Sequence, residues 1–529
     1  MRVLIFHGYL LGGTGSNVYN VCLASALARL GHDVHLLCQD RHPERQPFVD
    51  AAGDWDSGSL RLRSLRGGAR GGEAPGADLH ESDVGRCTVY RPDIGGLLPV
   101  YVVDRYEGIE ARAFPDCSDA EIASYIDANI AAVHEIVARA RPDIALANHV
   151  VMGPVILARA LAGEVPYAIK IHGSALEYTV KPHPERFLDF AREGLAGARA
   201  ILVGSHHTAA SLWEALGDPA LPHRTRLGPP GVDVQRFAPR GPREAEEALR
   251  ALTARLHAGS SHPTWAKQVG RAEQASAFAR DDATAAAALE RLDPEHDRLV
   301  VFVGKLILNK GVDLLLAAWP LVLEKVPNAR LVVVGFGADR DLLTRLLDAL
   351  AGGEIERAQD GAMRHLRAFL VNLDGAERAR YQIAARALPE RVVLTGRLDH
   401  DELTELLPAC DAQVVPSTFP EAFGMVAAEA AACGVLPISA AHSGLVEVSG
   451  ALARAVPAQV APWLSFAIDD SPVRAIAERV VAWLGVDPAL REQARAGLVA
   501  TVRERWSWEG VAQGVIAAAR GELDALAEP

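Results

Sequence analysis

Residues 1–38 open with Met1-Arg2-Val3-Leu4-Ile5-Phe6-His7-Gly8 and continue through the loop Gly12-Gly13-Thr14-Gly15-Ser16-Asn17. They close with Gly31-His32-Asp33-Val34-His35-Leu36-Leu37-Cys38. The runs Val3–Phe6 and Asp33–Cys38 are short, apolar and partly β-branched, which suits buried strands. Between them Val18, Val21, Cys22, Leu27 and Leu30 line one helical face, and Gly31 ends the helix. Strand, crossover helix, strand implies a parallel sheet. The first apolar run is too short for a secretory signal.

The same alternation returns further along. Asp143–Leu146, Tyr167–Ile171 and Ala200–Val203 read as strands, and Phe187–Leu195 as a helix. Residues 41–86, rich in Arg, Gly, Asp and Ser, read as an inserted loop. Residues 238–297 are rich in Ala, Arg, Glu and Asp with few large apolar side chains, and read as solvated helices plus flexible linker, a charged helical insertion or linker at or near a domain boundary. A second alternating unit starts at Leu299–Val303. It runs through the Leu314–Leu323 helix, Ala329–Val334, Val392–Leu394, the Asp401–Leu407 helix, Ala412–Val415, a Glu421–Ala432 helix and Leu436–Ser439. Residues 353–388 interrupt it with charged helical sequence, and Pro488–Leu526 is a helical tail carrying Trp506-Ser507-Trp508. The expectation is an α/β protein of two doubly wound Rossmann-like domains facing a cleft, with ligands beyond the carboxyl ends of the strands.

Composition narrows the function. The 529 residues exceed one ordinary core. The net charge of −13 argues against nucleic acid as a partner and gives no help to docking on an anionic membrane. The six cysteines show no metal-ligand spacing, so a reducing, cytoplasmic compartment without structural zinc is expected. No apolar run is long enough to span a bilayer.

The most informative segment is Pro420-Glu421-Ala422-Phe423-Gly424-Met425-Val426-Ala427-Ala428-Glu429. A helix start there offers free N–H groups to a phosphate. Eight helical residues rise about 12 Å, enough for one carboxylate to reach a sugar and the other a ribose. The bland alternative is a solvated helix with two surface glutamates. Val303-Gly304-Lys305-Leu306-Ile307-Leu308-Asn309-Lys310-Gly311 places two lysines in a strand-to-helix loop, where they could neutralise a diphosphate or simply be solvated. His172-Gly173 ends a strand and can serve a sugar hydroxyl, or be a satisfied histidine of the interior; Asn148-His149 ends its neighbour in the same way. The Gly12–Asn17 loop is an imperfect dinucleotide fingerprint, with Val18 where the last glycine belongs. The pairs Asp281-Asp282 and Asp469-Asp470 suit solvent better than a magnesium ion.

Together these segments resemble the retaining family-4 glycosyltransferases of the GT-B fold, of the Glu-x7-Glu type. The resemblance rests on Gly12-Gly13-Thr14-Gly15, Gly31-His32-Asp33-Val34, His172-Gly173, Pro230-Gly231-Val232-Asp233 with Phe237, Gly304-Lys305 through Lys310-Gly311, and Pro420-Glu421 through Phe423-Gly424 to Glu429. It covers most of the chain outside 41–86, 238–297 and 353–388. It implies an acceptor-side domain over 1–237, a charged helical insertion or linker over 238–297, a nucleotide-sugar domain over 298–500, and a helix over 501–529 that crosses back to the first domain. It implies a nucleotide-diphosphate sugar as donor and a small-molecule, lipid or glycan acceptor. A lipid acceptor leaves peripheral membrane attachment open. It also implies no metal and no cofactor.

By motif position, Glu421 would hold the donor sugar's hydroxyls, and backbone amides of Phe423, Gly424, Met425 and Val426 the sugar and phosphates. Lys305 and Lys310, flanked by Gly304, would bind the diphosphate, and Glu429 the ribose. Gly13 and Gly15 would let the first loop close near the donor. His172 would lie near the reacting carbon, and Arg397 and Leu398 beside the base. Many relatives carry arginine where this chain has Lys305, which keeps the charge and loses the fork geometry. The implied chemistry is a front-face transfer rather than a double displacement on two carboxylates. A sugar phosphorylase on the same fold, an NAD-dependent oxidoreductase built on Gly12–Gly15, and a catalytically silent sugar-nucleotide binder are the alternatives; a ribose partner at Glu429 speaks against the phosphorylase.

Overall fold

The computed structural model describes residues 1–12, 15–56, 58–65, 86–101, 110–259 and 281–529. Contacts divide the chain into two units, Met1–Gly231 with Trp506–Pro529, and Val232–Arg505. The second unit thus begins a few residues before the sequence-based boundary at 237, and the returning segment begins at Trp506 rather than at 501.

The first unit is built on strands β1 (Arg2–Phe6), β2 (Asp33–Leu37), β3 (Ala51–Asp56), β4 (Ser59–Ser64) and β5 (Cys87–Arg91). A separate pair, β6 (Leu97–Val100) and β7 (Glu110–Ala113), follows, then β8 (Ile144–Asn148), β9 (Tyr167–Lys170), β10 (Ala200–Val203) and β11 (Thr225–Leu227). The main sheet runs β11-β10-β9-β8-β1-β2-β5-β3-β4. All its pairings are parallel except β3 with β4. Val3 pairs with Val34 on one side and Ile144 on the other, so β1 is central. Val3, Leu4, Ile5 and Phe6 are buried, as a strand covered on both faces requires.

Residues 41–86 are more than a loop. Their described part contains the β3–β4 hairpin, added to the sheet through β3 and β5. The alternation Leu60-Arg61-Leu62-Arg63 buries its leucines and exposes or half-exposes its arginines, a period-two signal hidden by the polar composition. The C-terminal Trp508–Arg520 helix packs against the Gly15–Arg29 helix of this unit. Gly231 accommodates it: a Cβ there would lie 2.7 Å from the Trp508 ring.

The second unit has six parallel strands, β12 (Arg298–Val303), β13 (Ala329–Val334), β14 (Val392–Gly396), β15 (Ala412–Val415), β16 (Leu436–Ala440) and β17 (Ser465–Phe466), in the order β14-β13-β12-β15-β16-β17. The described parts of residues 238–297 belong to this unit and contain helices, as expected of a charged helical insertion. The Pro242–His257 helix buries Ala245, Leu249, Leu252 and Leu256 at helical spacing and packs on the Asp282–Leu289 helix. Residues 353–388 contain the helices Ile355–Ala358, which packs on the Arg340–Ala351 helix, and Arg364–Val371 and Gly375–Ala385, laid against the Val312–Lys325 helix. The helical tail is broken at Trp506-Ser507: Pro488–Arg505 packs on the Met425–Ala432 helix of the second unit, and Trp508–Arg520 belongs to the first.

Candidate functional site

In the second sheet the strand order reverses between β12 and β15, and ligands bind outside such a switch point. Two loops leave it, one after Val303 and one after Val415. Glycine lets them touch. Gly311 has φ +69°, and a Cβ there would sit 1.9 Å from the Pro416 carbonyl oxygen. Thr418 N–H donates to Asn309 O at 2.9 Å across the same seam.

That approach joins Lys310 to Glu421, with Nζ 2.5 Å from Oε1. Ser417 Oγ donates to the same carboxylate oxygen at 2.6 Å. The backbone of Glu421 is held too: its N–H donates to Ser443 Oγ at 2.9 Å and its carbonyl accepts from Gly444 N–H at 2.9 Å. His442 completes the frame, with Nε2 2.7 Å from Ser417 O and Nδ1 3.0 Å from Ser443 Oγ. Nε2 must carry the proton, because a carbonyl only accepts.

Glu421 does not lie on the helix, contrary to the expected Glu421–Ala432 span. The helix is Met425–Ala432, and Gly424 before it has φ +114°, where a Cβ would lie 2.6 Å from Leu445 Cδ2. Residues 420–424 form a turn that sets Glu421 beside Lys310 instead of one helical rise below Glu429. The first helical residues, Met425 and Val426, are half-buried, and Phe423 is buried beneath the turn. Gly424 caps this helix without a side chain, which leaves its first N–H groups to other acceptors.

Glu429 is 4 % exposed. His400 Nε2 lies 2.8 Å from its Oε1. His400 opens a short helix fixed by a reciprocal Asp399/Glu402 capping box, and its ring lies 4.9 Å from that of Phe237. Burial alone would lower the His400 pKa. The Glu429 carboxylate, as a charge and as an acceptor, outweighs it, and the net direction is upward. Arg397 donates to Asp399 Oδ1 at 2.9 Å and stands 5.8 Å from the centre of the Phe336 ring, while Leu398 is buried beside it. Lys305 and Gly304 lie half-buried in the loop after β12. Lys305, Lys310, Glu421, Phe423–Val426, Glu429, Arg397 and Leu398 thus all lie in the second unit. Ser417, His442, Ser443 and His400 are partners that the sequence reading missed.

The first unit gathers polar groups at the carboxyl ends of β1, β8 and β9. His172 Nε2 is 2.7 Å from Asn148 Oδ1, and Asn148 and Asn20 exchange amide hydrogen bonds of 2.8 and 3.2 Å. Asn20 Nδ2 also reaches His7 Nδ1 at 3.0 Å, and His7 Nε2 faces Asn17 Oδ1 at 2.9 Å. Burial pushes His7 down to about 4 and holds His172 and His149 well below the ordinary imidazole range, so these rings are neutral near pH 7. His149 is buried against the Tyr101 and His172 rings, and neither of its ring nitrogens has a partner among the described residues. Lys170, just before this cluster, donates to Gly228 O at 2.6 Å, and burial lowers it to about 7. His7, Asn17, Asn20 and Lys170 went unread; Asn17 and Asn20, one turn apart at a helix start, were the available signal. Gly15 is the first residue of the Gly15–Arg29 helix, and Gly13 lies outside the described residues.

Among the described residues no group of three or more His, Cys, Asp or Glu side chains could hold a metal ion. The suspected acidic pairs have local duties: Asp281 Oδ1 accepts from Thr284 N–H at 3.0 Å, and Asp469 Oδ1 from Ser471 N–H at 3.0 Å. Among the described residues no helix is long and apolar enough to cross a membrane.

Comparison with known proteins places both units. Residues 14–228 match the glycosyl transferase 4-like domain, and residues 289–456 match the glycosyl transferases group 1. A D-inositol 3-phosphate glycosyltransferase of Segniliparus rotundus is 31% identical over 248 residues, which is 46% of this chain and 44% of that protein. The chain spans less than half the length of such curated relatives, 44% to 48% of three of them. Among solved structures, sucrose-phosphate synthase from Thermosynechococcus elongatus superposes with a TM-score of 0.55 at 18% identity, covering 99% of both chains. The Anabaena protein HepE, solved in complex with UDP and glucose, gives 0.55 at 15% identity over 99% of this chain and 100% of its own. At these identities the likeness shows the GT-B fold.

Proposed function

The chain belongs to the group 1 glycosyltransferases, and we propose that it moves a hexosyl group from a nucleotide-diphosphate sugar to an acceptor hydroxyl, with retention at the anomeric carbon and without a metal. The observation that carries this reading is the meeting of Lys310 and Glu421 at the switch point, beside a helix start capped only by Gly424.

In this reading the diphosphate lies along the Lys305–Lys310 loop and the Met425 helix start, where fixed cations and backbone N–H groups oppose its charge. Glu421, anchored by Ser417 and Ser443, accepts hydrogen bonds from the donor sugar's hydroxyls. Glu429, with one oxygen held by His400, offers the other to the ribose. The new bond forms between the acceptor oxygen and the anomeric carbon as that carbon's bond to the leaving phosphate breaks. The acceptor's proton passes to the departing phosphate oxygen. The two lysines stabilise the charge that develops there, which is the task a metal would otherwise perform. The neutral His172, held by Asn148, is assigned to the sugar side of the reaction, and the acceptor to the first unit. A small-molecule, lipid or glycan hydroxyl remains the acceptor class, and the cytoplasm the compartment.

The test is a thermal-shift screen over UDP-, GDP- and ADP-sugars, since a ligand that binds only the folded state raises its melting temperature. The stabilising donor is then incubated with candidate acceptors and the anomeric configuration of the product read by NMR. Stabilisation by one nucleotide family and a retained anomer are expected. An inverted product, or phosphate-dependent cleavage of a disaccharide, would overturn the assignment.

A further inference from the structure

The helices of residues 353–388 enclose something that transfer chemistry does not use. The Ile355–Ala358 and Arg364–Val371 helices and the turn between them, together with the Arg340–Ala351 helix, bound a pocket of about 360 Å³, inside the size range of small-molecule sites. Leu308, Leu346 and Leu366 supply aliphatic walls. Arg345 and Arg357 stand among its lining residues.

Asp313 lines the same pocket and is 2 % exposed. Its Oδ1 has no hydrogen-bond partner. A buried carboxylate oxygen left unmet is costly, and such groups are rare in folded proteins. Burial pushes this carboxyl up to about 6. The unmet acceptor calls for a hydrogen-bond donor.

Arg345 and Arg357 share the pocket with a second carboxylate, Asp360. An ammonium ligand would satisfy Asp313 but would meet two guanidinium groups against that single further carboxylate. A hydroxyl satisfies it without that penalty. Arg345 makes no ion pair among the described residues, and Arg357 pairs only with Glu354 on its own turn, at 2.8 Å and largely in solvent. Both are available to an anion, and guanidinium is well shaped for phosphate. The aliphatic walls suit the C–H faces of a small ring or polyol.

We propose that this pocket is an accessory binding site for a small phosphorylated sugar or polyol, its hydroxyl donating to Asp313 and its phosphate meeting Arg345 and Arg357. The site stands apart from the proposed donor contacts but adjoins them. Leu308 lies two residues before Lys310, and its N–H donates to Asp339 Oδ2 at 2.8 Å, at the start of the helix that carries Arg345 and Leu346. The assignment does not depend on which sugar the chain transfers.

The experiment uses the full chain, with isothermal titration and thermal shift against glucose 6-phosphate, glycerol 3-phosphate, unphosphorylated glucose and inorganic phosphate. A phosphorylated sugar or polyol is expected to bind at least tenfold more tightly than glucose or phosphate alone. The double variant Arg345→Ala/Arg357→Ala, whose changes lie on exposed side chains, should weaken it at least tenfold, as should Asp313→Asn and the pocket-filling Ala362→Trp. Binding that is unchanged in the double arginine variant, or absent from the unmodified chain at millimolar ligand, would overturn the site. Loss of binding in Lys310→Ala with full binding in the arginine variant would move the ligand to the donor loop and would equally overturn it. These readouts need no turnover, so a failure here is distinct from a failure of the transferase assignment.

Discussion

Lys310 Nζ lies 2.5 Å from Glu421 Oε1 across 111 residues of chain. In the proposed reading the pair sets the cation assigned to a diphosphate against the carboxylate assigned to sugar hydroxyls. The shared oxygen is also held by Ser417, so Glu421 does not depend on Lys310 alone for its position.

Lys310→Ala is therefore expected to cost about 3 kcal/mol of transition-state stabilisation, roughly a hundredfold in kcat/KM. The melting temperature should move little, because partly exposed pairs contribute only about 0–1 kcal/mol. Steady-state kinetics with calorimetry check both. A loss below tenfold would make Lys310 an ordinary solvated lysine.

Glu421→Ala should abolish transfer and leave the fold intact, since its backbone contacts to Ser443 and Gly444 do not use the side chain. Ser417→Ala should give a milder loss, on the order of tenfold, from one missing hydrogen bond to a charged group. Kinetics of the two variants beside circular dichroism would show it; near-normal turnover in Glu421→Ala removes its donor role.

The His400–Glu429 pair sets a pH dependence. His400 has a raised folded-state pKa, so its charged pairing contributes stability that is fully present below about 6.5 and is lost as pH rises through the folded value. Melting curves of the unmodified chain and of His400→Gln, taken between about pH 5 and 9, should converge as the pH rises. A constant gap would mean that His400 only packs on Phe237.

Gly311→Ala places a methyl 1.9 Å from the Pro416 carbonyl oxygen at φ +69°. The clash and the left-handed backbone together should cost about 3 kcal/mol. Donor binding should weaken in step, because the two loops can no longer meet. Denaturant unfolding and nucleotide titration of the variant measure the two effects.

Excess chelator should leave transfer unchanged, as the two lysines are assigned the charge-stabilising task. Activity measured before and after chelation decides it; loss restored by a divalent ion would assign that task to a metal.

The framework was legible because parallel strands are continuous apolar runs. Ala200–Val203, Ala329–Val334 and Ala412–Val415 have the bounds expected of them. What was missed follows a physical pattern. The β3–β4 hairpin carries only two large buried leucines in a polar setting, so its alternation was faint. The Pro242–His257 helix needed only one narrow apolar stripe to join the second unit. The Glu421 turn depends on Gly424 taking a backbone angle that spacing alone does not reveal. Lys310 and Glu421 stood out as charges close to glycines in loops after strands, and Glu429 by its spacing of eight from Glu421. Their supports did not, because Ser417, His442, Ser443 and His400 are commonplace polar residues until tertiary structure brings them into contact.

The Trp508–Arg520 helix docks on the first unit although nearly all of the second is encoded before it. Synthesis must run past residue 508 before Tyr19 can meet the Trp508 ring, 5.4 Å away. At about 5–20 residues per second, the earliest-made unit waits tens of seconds for its last piece. During that interval the surface later covered by this helix is open to chaperones, and a nonsense codon shortly before Trp506 would leave the front half of the enzyme permanently unsealed.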